Sequence, residues 1–399
     1  TSMAFDAAAN PVATIGNAGD ISIGNQQVNV GTSGSGALVT AVGITVSDGG
    51  NGVTAITADY SNSDNSISGS YVGNRSANTV NAAGADGAPV YNGSAVVSNG
   101  QLNLNAGTTT AVNTSPITTT LADGSFRGAI AQSGDSISAG TQGNTASNAI
   151  GFASGLNIAG NAGATNLSLA FGNSTVTSSA AGDLVLLNEQ GNEGGAGFAT
   201  TADGGSIEAI ANAVVVAGSS ISLSNDNVSA STGGNAASNA VSANGSSFAG
   251  KVAVGNQQSN DTVTLMSASA SGVNLGADLT GAATSRGDVS VGASSIGAMA
   301  QGSQATTEVD LSGTSFSSGG GVITANADSS AFGTLTTGGA GVSVGNAQAD
   351  YGSGTVTSAK AGSDQLGAYY AGSIGGGSGT VGGNTIGASA GGNRGTTSA

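Results

Sequence analysis

The chain has 399 residues, of which 71 are Gly, while charged residues make up 7% and aromatic residues 4%. It contains no Cys and no His, which excludes disulfides, zinc sites of the usual Cys/His kind, Cys nucleophiles and His-based triads. The net charge is −16 with only six basic residues, so a basic nucleic-acid-binding stripe is excluded and anionic lipid surfaces are disfavoured.

The same composition still predicts an ordered chain. Glycine-rich, weakly charged sequences often form flexible linkers, but here 38% of the residues are hydrophobic and only three are Pro. No run of 18 strongly apolar residues occurs, so we predict no membrane span. The start at Thr1 instead of Met leads us to expect a processed, exported protein.

Apolar residues alternate with period two in short runs along the chain, and each run ends quickly at Gly, Asn, Asp or Ser. This pattern is typical of short strands separated by turns. We therefore predict an all-β fold: a repetitive parallel β-helix or β-solenoid with short strands and Gly-Asn corners. The prediction covers residues 1–399 as one continuous solenoid, with 1–20 as a candidate N-terminal assembly segment. The clearest runs begin at Ile21, Leu102, Leu167, Ile221, Val252, Val263, Val289, Val309 and Val342.

The spacing of these runs sets the expected size of one coil. Many runs lie about twenty residues apart, which is the size of one coil in common solenoids. The chain would then form about 20 coils and a rod about 95 Å long. The segment 206–218 is ambiguous, because its apolar residues fit either a helix or a buried strand.

Two polar phrases recur. "SISAGTQGNTASNAI" (136–150) and "NVSASTGGNAASNAV" (227–241) share nine of fifteen positions, and weaker copies lie at 65–80 and 384–399. A second phrase, "ISIGNQQ", starts at Ile21 and returns at Val252 and Val342. The strongest pair of the first phrase lies 91 residues apart and the last two copies of the second lie 90 apart, which indicates a superperiod of several coils.

We interpret the Gly-Asn pair in the first phrase as a solenoid corner, because Gly accepts the left-handed backbone and Asn tolerates it. Identical Asn, Ser and Thr side chains would then form hydrogen-bonded ladders along the axis. The corner candidates are Gly73, Asn74, Gly143, Asn144, Gly234, Asn235, Gly392 and Asn393.

Ser136, Gln142, Gly143, Asn148 and Ala149 resemble the Ser, Gln, Gly, Asn and Ala of the curli-type amyloid repeat. The spacing departs from that repeat, and no closing Gln follows in register. The chain more closely resembles the Gly/Asn/Ser-rich β-strand-repeat surface proteins of alphaproteobacteria, among them holdfast-anchoring proteins exported through a curli-type pore. The resemblance implies an outer-surface location and a role in anchoring an adhesive, biofilm-type matrix.

Candidate sites for chemistry are sparse. Acidic turns at Asp64, Asp226 and Asp350 lack the ligand spacing of known calcium loops, so we predict no metal or other cofactor. The Gly-rich segment 372–383 lacks the G-K-[ST] ending of a phosphate loop. Tyr369 and Tyr370 fit an interface better than sugar stacking. The four Glu residues and the scattered Arg and Lys offer no acid–base cluster, so we expect no enzyme.

These observations predict an extracellular structural protein at a bacterial cell surface. Uncapped solenoid ends would join copies head to tail into a fibre, or would anchor an adhesive matrix. Its partners would be copies of itself, and also surface polysaccharide or outer-membrane export and anchor proteins. The alternatives are a monomeric secreted adhesin that binds polysaccharide and, less favoured, an enzyme acting on polysaccharide.

Overall fold

The computed structural model describes most of the chain in short stretches. These are residues 2–6, 11–18, 20–30, 37–40, 43–48, 55–57, 59–82, 90–104, 108–111, 116–121, 125–152, 157–159, 163–171, 174–193, 197–211, 215–216, 218, 220–243, 247–260, 266–279, 284–285, 287–311, 315–318, 322–327, 335–338, 341–350, 357–362, 364–370, 373–374 and 376–398. Every regular element among them is a β-strand. The prediction of an all-β, repetitive parallel solenoid is confirmed.

The chain begins with a hairpin, winds through five coils and inserts two further hairpins between coils. The first hairpin is β1 (Ser2–Asp6) and β2 (Pro11–Ala18). Coil 1 is β3 (Ile21–Val30), β4 (Ala37–Thr40), β5 (Ile44–Asp48), β6 (Ala55–Ile56), β7 (Tyr60–Ser63), β8 (Ser66–Ala82) and β9 (Val90–Asn92). Coil 2 is β10 (Ala95–Leu104), β11 (Thr108–Ala111), β12 (Pro116–Leu121), β13 (Ser125–Phe126), β14 (Ala129–Ser133), β15 (Ser136–Phe152) and β16 (Asn157–Ala159).

The second hairpin, β17 (Gly163–Phe171) and β18 (Ser174–Gly182), precedes coil 3. Coil 3 is β19 (Leu184–Glu193), β20 (Phe198–Thr201), β21 (Ser206–Ala211), β22 (Val215–Val216), β23 (Ser220–Ser224), β24 (Asn227–Ala243) and β25 (Ser247–Gly250). Coil 4 is β26 (Val252–Asn260), β27 (Met266–Ser271), β28 (Asn274–Leu279), β29 (Thr284–Ser285), β30 (Asp288–Gly292), β31 (Ser295–Asp310) and β32 (Ser315–Ser318).

The third hairpin, β33 (Val322–Ala327) and β34 (Leu335–Gly338), precedes coil 5. Coil 5 is β35 (Val342–Asp350), β36 (Thr357–Gly362), β37 (Gln365–Tyr370), β38 (Ser373–Ile374), β39 (Gly379–Gly382) and β40 (Thr385–Ser398). The ambiguous segment at 206–218 thus forms strands β21 and β22.

Equivalent strands of successive coils pair in parallel and build seven sheets. Two of these sheets carry the argument below. The amide sheet is formed by β3, β10, β19, β26 and β35, and the long-strand sheet by β8, β15, β24, β31 and β40. Apolar clusters fill the interior: Ile137, Val228 and Ile296 stack in one, and Ile150, Leu186 and Val254 lie in another between the two named sheets.

The predicted coil of about twenty residues is wrong. Equivalent positions on successive coils are 74, 89, 68 and 90 residues apart, so the described chain makes five large coils. Their stack is about 24 Å high at a rise of about 4.8 Å per coil. Most of the apolar runs each lie on one side of a coil, but the run at Leu167 lies in hairpin strand β17 and the run at Val263 begins outside the described residues. The supposed superperiod of 90–91 residues is one complete coil.

The three hairpins form one antiparallel sheet, the hairpin sheet, in the order β1-β2-β17-β18-β33-β34. It packs on the outer face of the amide sheet, with β17 against β10 and β19, and β18 against β19 and β26. A hairpin contributes two strands, which span the height of two coils at a common strand spacing of about 4.8 Å. One hairpin is therefore needed for every second coil, which explains why the coil length alternates between shorter and longer values.

Candidate functional site

The Gly-Asn pairs do not form corners. Gly73, Gly143, Gly234 and Gly392 lie inside the long strands β8, β15, β24 and β40, and none has a positive φ. Within β15 the alternation of buried and outward residues reverses at this point, because Gly143 and Asn144 are both buried. The part of β15 before Gly143 packs on β20, and the part after it packs on the amide sheet. The expectation of a left-handed Gly-Asn turn is therefore wrong.

Glycine is required here by a close approach between coils. A Cβ added at Gly143 would lie 2.5 Å from the carbonyl oxygen of Gly234 and 2.8 Å from Oδ1 of Asn192. Real Cβ atoms do not come so close to backbone, so any larger residue would force the stacked strands apart. Gly73 meets the equivalent atoms of Gly143 and Asn103 at 2.5 and 2.8 Å.

The left-handed turns lie just before each long strand. One residue per coil has a positive φ there, and the residue after it uses its side chain to accept a backbone N–H from the preceding coil. The N–H of Asp135, for example, donates to Oδ1 of Asp226 at 3.1 Å. The turn residues are Asp64, Gly134, Asn225, Ala293 and Gly383, and the acceptors that face a preceding coil are Asp135, Asp226, Ser294 and Asn384.

The Asn residues of the Gly-Asn pairs form an axial ladder. Asn74 donates Nδ2 to Oδ1 of Asn144 at 2.9 Å, and Asn144 donates to Oδ1 of Asn235 at 2.8 Å. Asn78, Asn148 and Asn239, each four residues further along the same strands, form a second ladder of the same kind. These amides are buried, so the ladder satisfies polar groups that would otherwise be costly inside the protein.

The second phrase forms the opposite wall of the same interior. Its Asn and Gln side chains stack along the amide sheet, as in the bond from Gln348 Nε2 to Gln258 Oε1 at 2.6 Å. The same ladder continues through coils 2 and 3, where Gln190 Nε2 donates to Gln101 Oε1 at 2.7 Å. The two walls also bond to each other: Asn192 Nδ2 donates to Asn235 Oδ1 at 3.0 Å. The three ladders of the amide sheet contain Asn99, Asn188, Asn256 and Asn346; Gln27, Gln101, Gln190, Gln258 and Gln348; and Asn29, Asn103, Asn192, Asn260 and Asp350.

Asp226 and Glu189 are buried carboxyl groups that lie outside the amide ladders. Burial raises the pKa of Asp226 to about 7; the hydrogen bond from the N–H of Asp135 opposes the shift, and the charge of Asp135 adds to it. Burial also raises the pKa of Glu189 well above its usual range. Neither carboxyl oxygen of Glu189 has a hydrogen-bond partner, and the side chain points away from Asn188 and Gln190, toward the hairpin sheet.

The tail edge, the open edge of coil 5 formed by β35–β40, exposes positions that earlier coils bury. Ile386 is 47% exposed and its equivalent Ile296 only 1%; Val381 is 51% exposed and its equivalent Val291 only 1%. The side chain of Asn393 is likewise exposed, although Asn235 at the same position two coils earlier is buried. Inward-facing apolar and amide groups are thus uncovered together on one face.

The sites considered from sequence do not assemble into a reactive centre. Asp64 lies in the turn before β8, Asp226 in the turn before β24 and Asp350 at the end of an amide ladder. The described residues contain no group of three Asp or Glu that could hold a metal ion. Tyr369 lies on β37, and burial, followed by the charges of Glu208 and Asp278, raises its pKa. The side chain of Tyr370 and part of 372–383 lie outside the described residues.

The Asn and Gln ladders of the amide sheet and the long-strand sheet, together with the tail edge, are therefore the candidate functional features. Sequence reasoning predicted Asn ladders through Asn74, Asn144 and Asn235 but placed these residues at corners, and it missed the ladders of the amide sheet. It also missed the turn residues, although the short motif of Ser63 to Ser66 has related copies before each long strand. In the part of the chain that the structure describes, no helix is long and apolar enough to cross a membrane. No known protein family, curated protein or solved structure matches this chain.

Proposed function

We propose that this protein is an extracellular structural subunit that lengthens by end-on addition of copies, forming a cell-surface fibre or anchoring an adhesive matrix. The observation that carries the proposal is the tail edge. It combines unpaired strand backbone with uncovered apolar side chains, Ile386 and Val381, in the register of a further coil. An open edge of this kind is a template for adding strands of another chain.

The first coil has the sequence that this edge requires. With the stack continued in register, Ile21, Ile23 and Asn25 of a second copy would lie on Val342, Val344 and Asn346, because each set occupies the same positions in the amide sheet. Ile67 would likewise cover Ile386. A heterologous contact between different ends, repeated from copy to copy, produces an open filament.

The hairpin sheet sets one condition on this junction. It has six strands, one more than the amide sheet on which it packs. At the tail, β34 packs on the outer side of β35; at the head, β1 extends past β2. Between β35 and an incoming β3 there is one groove, which both β34 and the incoming β1 would occupy. Among the described strands β1 pairs only with β2. We expect β1 to leave, so that β2 lies beside β34 in a parallel pair.

The location and the further partners belong to the same proposal. The cell-surface setting, and contact with surface polysaccharide or with outer-membrane export and anchor proteins, rest on the resemblance of the Gly/Asn-rich repeats. The amide ladders support a load-bearing role, because each coil is joined to the next by side-chain hydrogen bonds as well as by six or seven parallel sheets. No part of the proposal involves catalysis.

A second candidate, the monomeric secreted adhesin, is favoured by one observation. Arg75 and Arg394 occupy the same outward-facing position on the first and last coils, whereas the coils between carry Thr145, Ala236 and Gln304 there. Stacking would place the two guanidinium groups on adjacent strands, and directly opposed like charges are unfavourable. Charged residues on sheet edges commonly prevent edge-to-edge association.

Negative-stain microscopy and sedimentation of the 399-residue chain test the proposal. Wild-type protein should form rods several times longer than one subunit as its concentration rises. Ile386→Asp should abolish these rods, because it places a charge in the junction. Met299→Asp is the matched control, since Met299 is 54% exposed on an inner coil and lies away from the edge. Single-subunit particles at every concentration, or equal assembly by both variants, would favour the adhesin.

A further inference from the structure

The amide ladder that ends at Asp350 has a fixed direction. Asn29 donates Nδ2 to Asn103 at 3.3 Å, Asn103 to Asn192 at 2.8 Å, and Asn192 to Asn260 at 2.8 Å. Asn260 then donates to Oδ1 of Asp350 at 2.6 Å. Each side chain accepts from the coil before it and donates to the coil after it, so the direction runs from the first coil to the tail edge.

Asp350 breaks this direction at the tail edge. An ionised carboxylate has no N–H to donate to a following coil. The neighbouring ladders of the amide sheet end in amides: Asn346 accepts from Asn256 and keeps its Nδ2 for a following coil, whereas Gln348 donates Nε2 back to Gln258 and to the Arg394 carbonyl, so its ladder runs in the opposite direction. The Asp350 ladder is therefore the one of these three that ends in an acceptor-only group.

The head of a second copy would meet Asp350 with another acceptor. The equivalent of Asp350 on coil 1 is Asn29, whose Nδ2 is already used in bonds to Asn103 and to the Tyr71 hydroxyl. In this ladder the amide oxygen faces the preceding coil, as Asn192 shows by accepting from Asn103. Asn29 Oδ1 would therefore face Asp350 of the preceding copy. A carboxylate oxygen and an amide oxygen brought together in a buried junction would leave both unsatisfied.

We propose that end-on stacking of a second copy is gated by acid, with the junction closing when Asp350 carries a proton and donates it in a hydrogen bond to Asn29 of the incoming copy. One proton converts two facing acceptors into a donor and an acceptor. The inference rests on the proposed function, since it concerns the same junction. It adds that assembly at the tail edge depends on pH through one side chain.

The surroundings of Asp350 contain few other groups that titrate. Asn260 donates to it from β26, and the side-chain amide of Asn393 on β40 lies beside the carboxylate, with Nδ2 3.2 Å from Oδ2 when the amide is turned to donate. The charged residues Glu308 and Asp310 of β31 and Arg394 of β40 occupy exposed outer positions. Strands β33 and β34 contain no ionisable residue.

Burial already raises the pKa of Asp350, and the hydrogen bond from Asn260 only partly opposes this shift. A second coil would cover the carboxyl group further, and deeper burial raises a carboxyl pKa further. Each unit of additional shift on stacking corresponds to about a tenfold change in junction affinity. The critical concentration for rod formation should accordingly fall about tenfold or more from pH 8 to pH 5.

The test measures the critical concentration by sedimentation at pH 5 and pH 8, with circular dichroism as the check on folding. Wild-type protein should assemble better at pH 5. Asp350→Asn, which restores a donor at the end of the ladder, should assemble at pH 8 about as well as wild type does at pH 5, with little pH dependence. Glu308→Gln, which removes an exposed carboxylate from the outer face of β31, should keep the wild-type dependence on pH.

The outcomes separate this inference from the proposed function. Rods that form equally at both pH values, in wild type and Asp350→Asn alike, would overturn the gate and leave the structural subunit intact. The gate would also be overturned by a pH dependence that Asp350→Asn retains or that Glu308→Gln abolishes. If neither wild type nor Asp350→Asn forms rods at either pH, the proposed function fails, and the gate fails with it.

Discussion

Asn144 Nδ2 lies 3.1 Å from Asn192 Oδ1, and this contact joins the long-strand sheet to the amide sheet across the protein interior. Asn144 belongs to the first repeated phrase, and Asn192 lies on the amide sheet two positions beyond the register of the second phrase, so the two sheets form facing walls of one polar interior. The same Nδ2 also donates to the Gly191 carbonyl at 3.0 Å and to Asn235 at 2.8 Å. Such shared amide contacts give both phrases a reason to recur at the spacing of one coil.

Replacing Asn144 with Gly should destabilise the protein strongly. A residue at a left-handed corner would tolerate Gly, but Asn144 is buried and its loss leaves several polar partners unsatisfied. Each unsatisfied buried group costs about 1–3 kcal/mol, so we expect a loss of at least about 3 kcal/mol in the free energy of unfolding. Urea denaturation measures this change. Ser147→Gly, on the exposed face of the same strand, controls for the backbone effect of Gly and should cost about 1 kcal/mol.

The strands and their parallel stacking could be predicted from sequence because period-two alternation is a local signal. The size of a coil could not, because the 91-residue spacing between Asn144 and Asn235 is visible in the sequence but fits several short coils as well as one long coil until the strands are paired. A Gly-Asn pair usually indicates a turn, but position 143 requires Gly because the backbone of the next coil leaves no room for a Cβ atom. The hairpin sheet could not be predicted either, because one hairpin is inserted for every two coils to match their stacked height, and this relationship leaves no local pattern in the sequence.

Gly143→Ala should destabilise the protein, while Gly140→Ala on the same strand should not. The added Cβ at position 143 would lie 2.5 Å from the Gly234 carbonyl oxygen, whereas at position 140 its nearest neighbour is Ser231 Oγ at 3.6 Å. Overpacking of a buried site typically costs about 1–3 kcal/mol. Thermal unfolding of both variants checks this comparison. A loss at position 140 as large as that at position 143 would show that close approach is not the reason for Gly.

Asp226→Asn should stabilise the protein at alkaline pH and change it little at pH 4. The folded-state pKa of Asp226 is raised to about 7, so the folded protein holds its proton more tightly than the unfolded chain does. Wild-type stability is therefore greatest at acid pH and falls as pH rises from about 4 to about 7. The loss amounts to at most about 4 kcal/mol for a shift of about three units.

The measurement for Asp226→Asn is the free energy of unfolding in urea at pH 4 and pH 8. Asn fits this position, since Asn384 already fills the equivalent place in coil 5. Asp64→Asn, in an exposed turn, is the matched control and should keep the wild-type dependence on pH. If Asp226→Asn follows the wild-type curve at both pH values, the buried carboxyl group at position 226 is not the source of the pH dependence.

Removing residues 1–10, which include β1, should speed the assembly of rods. Strand β1 pairs only with β2 among the described strands, while β34 fills the groove beside β35 that an incoming β1 would enter. Wild-type copies must therefore release β1 before the six five-stranded parallel sheets can continue across the junction. Without β1, this step disappears and β2 can lie directly beside β34.

Light scattering at pH 5 should then show a shorter lag phase for the truncated chain, with rods of unchanged width by negative-stain microscopy. Ala4→Gly offers a milder version, because Gly in the interior of a strand weakens β1 without removing it. It should give an intermediate lag phase. Slower assembly after truncation would mean that β1 contributes to the junction instead of competing with β34, and that the end-on register proposed above is wrong.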